Sequence, residues 1–97
     1  MFTELLRLRR EMKNIPQKRL AAILDIDTPM YSRIERGKRA IKKEQVIALA
    51  KVLEINETDL LNIWFAERIY QLIKNEPMPI EILDLVKKQI LSTNEKF

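Results

Sequence analysis

The chain has no cysteine, no histidine and a single glycine. Without cysteine there can be neither a disulfide framework nor a thiolate metal site. Without histidine, the side chain that most often moves protons near neutral pH is missing. The carboxylates form no recognisable pair at catalytic spacing, so composition argues against an enzyme and requires no cofactor. Long apolar runs are lacking too. The longest uncharged stretch, Leu60 to Ala66, is far too short to cross a bilayer. Charges every two or three positions between Met1 and Lys13 do not fit a signal peptide. A cytoplasmic protein without a membrane partner is the expectation. The scarcity of glycine, beside many Leu, Ile, Glu, Lys and Arg residues, favours helices over strands.

What is present is 97 residues, 46% hydrophobic and 33% charged, enough for one modest core in an ordered all-α chain. The net charge of +4 hides an asymmetry. Residues 1–53 hold 13 Lys and Arg against 6 Asp and Glu, whereas residues 54–97 hold 5 against 8. A basic binding half joined to a half with another task would give this pattern, and so would chance drift of surface charge.

Helical periodicity runs through nearly the whole sequence, with no internal repeat, low-complexity tract or dividing linker. A first helix is expected over Thr3 to Lys13, with Phe2, Leu5, Leu6 and Met12 on its apolar side. A second follows Pro16, whose missing N–H is an orphan in a first turn anyway, and ends near Leu24. Asp25-Ile26-Asp27 makes a tight turn. Asp27 can cap a third helix that tolerates Pro29 in its first turn and ends at Arg36, with Gly37 as the left-handed terminator. Val46, Leu49, Ala50 and Leu53 form the i, i+3, i+4, i+7 stripe of a fourth helix. Asn56 and Asp59 open a fifth, from Glu57 to about Asn75. Asn56-Glu57-Thr58 matches a glycosylation pattern, but Asn56 is better explained as that helix cap. Pro77 and Pro79 end the fifth helix, and a sixth is expected over Ile80 to Leu91.

The segments Pro16-Gln17-Lys18-Arg19-Leu20-Ala21, Leu24-Asp25-Ile26-Asp27 and Ser32-Arg33-Ile34-Glu35-Arg36-Gly37-Lys38 resemble the Cro and phage-repressor-type (XRE-like) helix-turn-helix family. The resemblance continues through Leu49-Ala50-Lys51-Val52-Leu53 to Asp59-Leu60-Leu61, and so covers about residues 3–61. It implies a five-helix, lambda-repressor-like DNA-binding domain over residues 1–61. Residues 62–97 are then a C-terminal extension made of a lengthened fifth helix and an added sixth. Two short helices joined by a three-residue turn cross steeply, so the second can enter the major groove while the first lies over the backbone. Leu20, Ala21, Leu24, Ile26, Tyr31 and Ile34 supply the apolar hinge.

The other side of the third helix presents Thr28, Pro29, Ser32 and Arg33, the candidates for base edges. A guanidinium can grip guanine O6 and N7 with two hydrogen bonds, which singles out Arg33; a phosphate-bound or solvated charge is the alternative. Thr28 and Ser32 can bond several bases, and the Pro29 ring can touch a thymine methyl. The resemblance implies that Gln17 donates to a phosphate and that Arg10 and Glu35 form a structural pair. Independently of any family, Lys18 and Arg19 in one first turn, and Lys42 and Lys43 at the start of another helix, oppose the helix dipole; an arriving phosphate relieves that conflict. From Arg33 to Lys43 six cations stand against one acid. Lys18, Arg36, Lys38, Arg39, Lys42 and Lys43, with Gln17, are therefore the candidate phosphate contacts, a solvated basic loop being the plainer alternative. Three positions depart from the family: Asp25 where glycine is usual, Pro16 for a capping hydroxyl, and Tyr31 for a smaller aliphatic.

The last third is too apolar for one narrow stripe. Ile63, Trp64, Phe65, Ile69, Tyr70, Leu72 and Ile73 crowd the fifth helix, and Ile80, Ile82, Leu83, Leu85, Val86, Ile90 and Leu91 the sixth. Such helices need burial on more than one side. A homodimer interface supplies it, as does packing of the sixth helix back onto the fifth. The functional expectation is a sequence-specific regulator, repressing from a double-stranded operator of two-fold symmetry. An antitoxin whose C-terminal helices hold a toxin, and an interaction module that no longer binds DNA, are the competing readings.

Overall fold

The structure is a computed structural model that describes residues 1–95. Among these it forms six helices and no strand: α1 (Phe2–Met12), α2 (Gln17–Ile23), α3 (Thr28–Glu35), α4 (Lys43–Leu53), α5 (Glu57–Ile73) and α6 (Pro79–Glu95). The chain forms two compact units, Met1–Glu67 and Arg68–Phe97.

In the first unit α2 packs on α3, α1 on α3 and α4, and α2 on α4. Leu6, Leu20, Tyr31, Leu49, Leu53 and Leu60 lie fully buried at its centre. Phe2 and Leu6, one turn apart on α1, are buried as their spacing predicts, but Met12 is 76% exposed. At 100° per residue it stands about 80° round α1 from Phe2 and about 120° from Leu6, so it shares a side with half-buried Leu5 and not with the face that the core covers. The α4 stripe of Val46, Leu49, Ala50 and Leu53 is buried throughout.

Helix ends follow local chemistry. Pro16 leaves α2 without a side-chain cap. Asp25 takes the left-handed conformation at φ 57°, which an aspartate adopts more readily than most residues. Asp27 Oδ1 then accepts from the Met30 N–H at 2.7 Å and starts α3, with Pro29 in its first turn. Gly37 ends that helix at φ 71°. A Cβ added to Gly37 would meet nothing within 4 Å, so the backbone conformation, and not lack of room, calls for glycine. The Lys42 N–H donates to Gln45 Oε1 at 2.9 Å at the start of α4, and Asn56 Oδ1 accepts from the Asp59 N–H at 3.0 Å at the start of α5.

Trp64 belongs to the core of the first unit. It sits one turn beyond Leu60 on α5. Phe65 is exposed and meets Trp64 edge-on, ring centroids 4.8 Å apart.

In the second unit Ile73 is buried, while Leu72, Ile80, Leu85, Val86, Ile90 and Leu91 are exposed. The helix α6 starts one residue before the predicted Ile80 and continues past Leu91 to Glu95. Ser92, Thr93 and Asn94 are weak helix formers, but the Thr93 hydroxyl bonds back to the Gln89 carbonyl at 2.9 Å and so stays compatible with the helix. Among the described residues no helix is long and apolar enough to cross a membrane.

Candidate nucleic-acid interface

The core side of α3 is fixed by Tyr31, Ile34 and Glu35, all buried. The opposite side is therefore turned outward. Thr28, Pro29 and Arg33 are exposed and Ser32 is half-buried. Pro29, Ser32, Arg33 and Arg36 follow one another at i, i+3, i+4 and i+7, a single row along the helix, with Thr28 at its edge. Arg36, the candidate phosphate contact at the end of α3, closes this row, and its Nε donates to the Ser32 carbonyl at 3.4 Å. Periodicity alone contained that signal.

Around this row the charge is positive and uncompensated. Lys18 and Arg19 are exposed in the first turn of α2, which contains no acid. Lys38, Arg39, Lys42 and Lys43 are exposed along the connection into α4. Arg39 and Lys42 line a groove together with Asp25, Ile26 and Met30. The ion pairs of the first unit lie elsewhere and involve Arg7, Arg10, Lys13 and the N-terminal amine. Among the described residues Lys18, Arg19, Arg33, Arg36, Lys38, Arg39, Lys42 and Lys43 have no carboxylate partner.

Gln17 stands apart from the other candidates. It is half-buried, and its Nε2 donates to Glu35 Oε1 at 3.3 Å. The carboxylate of Glu35 also receives Arg10 twice, from Nε at 2.7 Å and from Nη2 at 3.0 Å. A third Arg10 nitrogen, Nη1, donates to the Ile15 carbonyl at 3.1 Å. The Arg10–Glu35 pair is thus a bidentate clamp between α1 and α3, and Gln17 joins it from the start of α2. One Gln17 amide hydrogen stays available for another acceptor.

Burial by itself would push the Glu35 carboxyl upward, but hydrogen bonds from Arg10 and the neighbouring polar groups outweigh it and hold the group below its usual value of 4.5. Tyr31 moves the other way. Its hydroxyl is buried beside the Glu35 carboxylate, and burial, then that carboxylate, pushes it well above its usual 10.0. The two groups bracket a window of stability. Below pH 4.5 the unfolded chain takes up a proton that folded Glu35 refuses, so its contribution fades as pH falls through the folded value. Above pH 10.0 the unfolded chain loses a proton that folded Tyr31 keeps, so stability drops as pH rises. Urea midpoints across pH should show both limbs, and Glu35→Gln should flatten the acid one. An acid limb unchanged by that substitution would exclude Glu35 as its source.

A helix-turn-helix family model matches residues 6–60 of the chain. That is more than half of its length, and the chain belongs to this family, of the Cro and phage-repressor type. No curated protein and no solved structure gives a significant match.

Proposed function

We propose that this helix-turn-helix chain is a sequence-specific transcriptional repressor that reads double-stranded DNA with α3 in the major groove. The observation that carries the reading is the outward row on α3 set among eight cations with no carboxylate partner. Cations with no carboxylate partner can turn to phosphates without an ion pair being broken first, and each phosphate neutralised releases condensed counterions. Arg33 grips a guanine edge. Thr28 and Ser32 bond neighbouring bases, and the Pro29 ring lies against a thymine methyl. Lys18, Arg36, Lys38, Arg39, Lys42 and Lys43 hold the backbone, and the free amide hydrogen of Gln17 adds one further donor. Two copies read two half-sites about 34–36 Å apart, one helical turn.

Selection from random duplexes, followed by titration of the enriched site, tests this directly. Arg33→Ala should weaken the preferred duplex by about 1–3 kcal/mol and relax base choice at one position. Lys38→Ala should weaken every sequence alike and reduce the salt slope by about one. If no duplex is enriched even in dilute buffer, the proposal fails.

A further inference from the structure

We propose that the groove between the α2–α3 turn and the connection into α4 binds a small monocarboxylate with a compact apolar body, and that this ligand competes with DNA for Arg39 and Lys42. The competition rests on the DNA reading above; the binding rests on the groove alone.

The groove has a volume of about 300 Å³, at the lower end for small-molecule sites, so its ligand is small. Leu24, Ile26, Met30 and Ile34 supply its apolar lining. Leu24 and Ile34 are already buried by the core, whereas Ile26 and Met30 are half-buried and keep apolar surface for a ligand to cover. Arg39, Lys42 and Gln45 supply donors. Gln45 Oε1 already accepts from the Lys42 N–H, which leaves the amide hydrogens of Gln45 to donate.

Asp25 is the acid of this lining. Among the described residues no ion pair joins it to Arg39 or Lys42, so both cations stay available although a carboxylate shares their groove. Two cations against one acid leave a surplus of one positive charge. A monocarboxylate balances that surplus, and its two oxygens fit the guanidinium fork. A phosphate monoester, at about −1.5 to −2 near neutral pH, exceeds it. Inorganic phosphate, with no apolar body, leaves Ile26 and Met30 uncovered. Arg39 and Lys42 are also candidate phosphate contacts of the DNA interface. A ligand that holds them withdraws them from the duplex, and the duplex by the same linkage weakens the ligand.

Benzoate, titrated into the full chain without DNA and followed by amide shifts in two-dimensional NMR, is the probe. It should saturate with a Kd of about 1 mM, as befits so small a ligand, and shift Met30, Ala40 and Gln45 most. Benzamide, of the same shape without the charge, should bind about tenfold more weakly, and so should inorganic phosphate. Asp25→Asn keeps a side chain that tolerates the left-handed turn. It removes the opposing charge and should tighten benzoate about threefold. Ala40→Glu adds a carboxylate to the lining and should weaken benzoate about tenfold, with unchanged helical circular dichroism. With ionic strength matched by sodium chloride, benzoate at about ten times its Kd should weaken the selected duplex at least about tenfold. Shifts that do not saturate would overturn the site. So would benzamide or phosphate binding as tightly as benzoate, or an Asp25→Asn chain of unchanged affinity. Saturable binding that leaves the duplex affinity untouched would overturn the competition. A chain that binds benzoate but prefers no duplex would sink the DNA reading and keep the site; duplex preference without benzoate binding would do the reverse.

Discussion

Arg10→Ala is expected to destabilise the fold by about 3 kcal/mol, the low end of what breaking a buried ion pair costs. Two side chains set that size. Glu35 keeps only 2% of its side chain in solvent, so removal of the guanidinium strands a carboxylate that water cannot reach. Arg10 itself is 13% exposed, which lets some solvent enter and keeps the loss from the upper end. Gln17 donates a single amide hydrogen to Glu35 at 3.3 Å, brings no compensating charge, and cannot replace a bidentate clamp. The loss should shrink as pH falls, because the stranded carboxyl then takes up a proton. Urea unfolding of Arg10→Ala, Glu35→Gln and the double variant measures it. The double variant should be more stable than Arg10→Ala alone, since no buried charge is left unpaired. If Arg10→Ala lowers stability by less than about 1 kcal/mol, the clamp is only a surface pair.

The second large effect concerns salt. Eight unpartnered cations per copy allow two copies to neutralise about six to ten phosphates, and binding should then weaken roughly 10³- to 10⁵-fold between about 50 and 200 mM salt. The logarithm of affinity should fall with the logarithm of salt concentration with a slope of about −5 to −9. Fluorescence anisotropy on the selected duplex gives this slope. A value shallower than about −3 would mean that most of these side chains stay solvated in the complex. Steepness alone is not specificity, and the contrast between Arg33 and Lys38 separates the two contributions.

Much of the first unit was legible in the residues because its signals are local. Asp27 as a cap, Gly37 as a terminator, Asp25 in a left-handed turn and the α4 stripe each depend on a few neighbours in sequence. Features that depend on distant packing were not. Met12 keeps the spacing of Leu5, which is itself only half-buried, and the packing of α1 turns Phe2 and Leu6 to the core instead. Gln17 has the chemistry of a phosphate donor, while its bond to Glu35 arises only once α2 and α3 are folded together. Trp64 lies beyond the segment that resembles the family, and its burial in the core depends on residues distant in sequence. In α6 the wealth of apolar residues predicted demand for burial, whereas Ile80, Leu83, Leu85, Val86, Ile90 and Leu91 are exposed among the described residues.

The three-way tie of Arg10, Gln17 and Glu35 also decides which partner yields when protein meets duplex. It locks α1, α2 and α3 to one another through a buried carboxylate, so the angle of the reading helix cannot be adjusted cheaply to suit each site. On the proposed reading the softer body is then the double helix, whose bending and groove width vary with sequence at positions the protein never touches. Part of the choice among sites would be made by how readily each stretch of DNA takes the shape of a template that does not give.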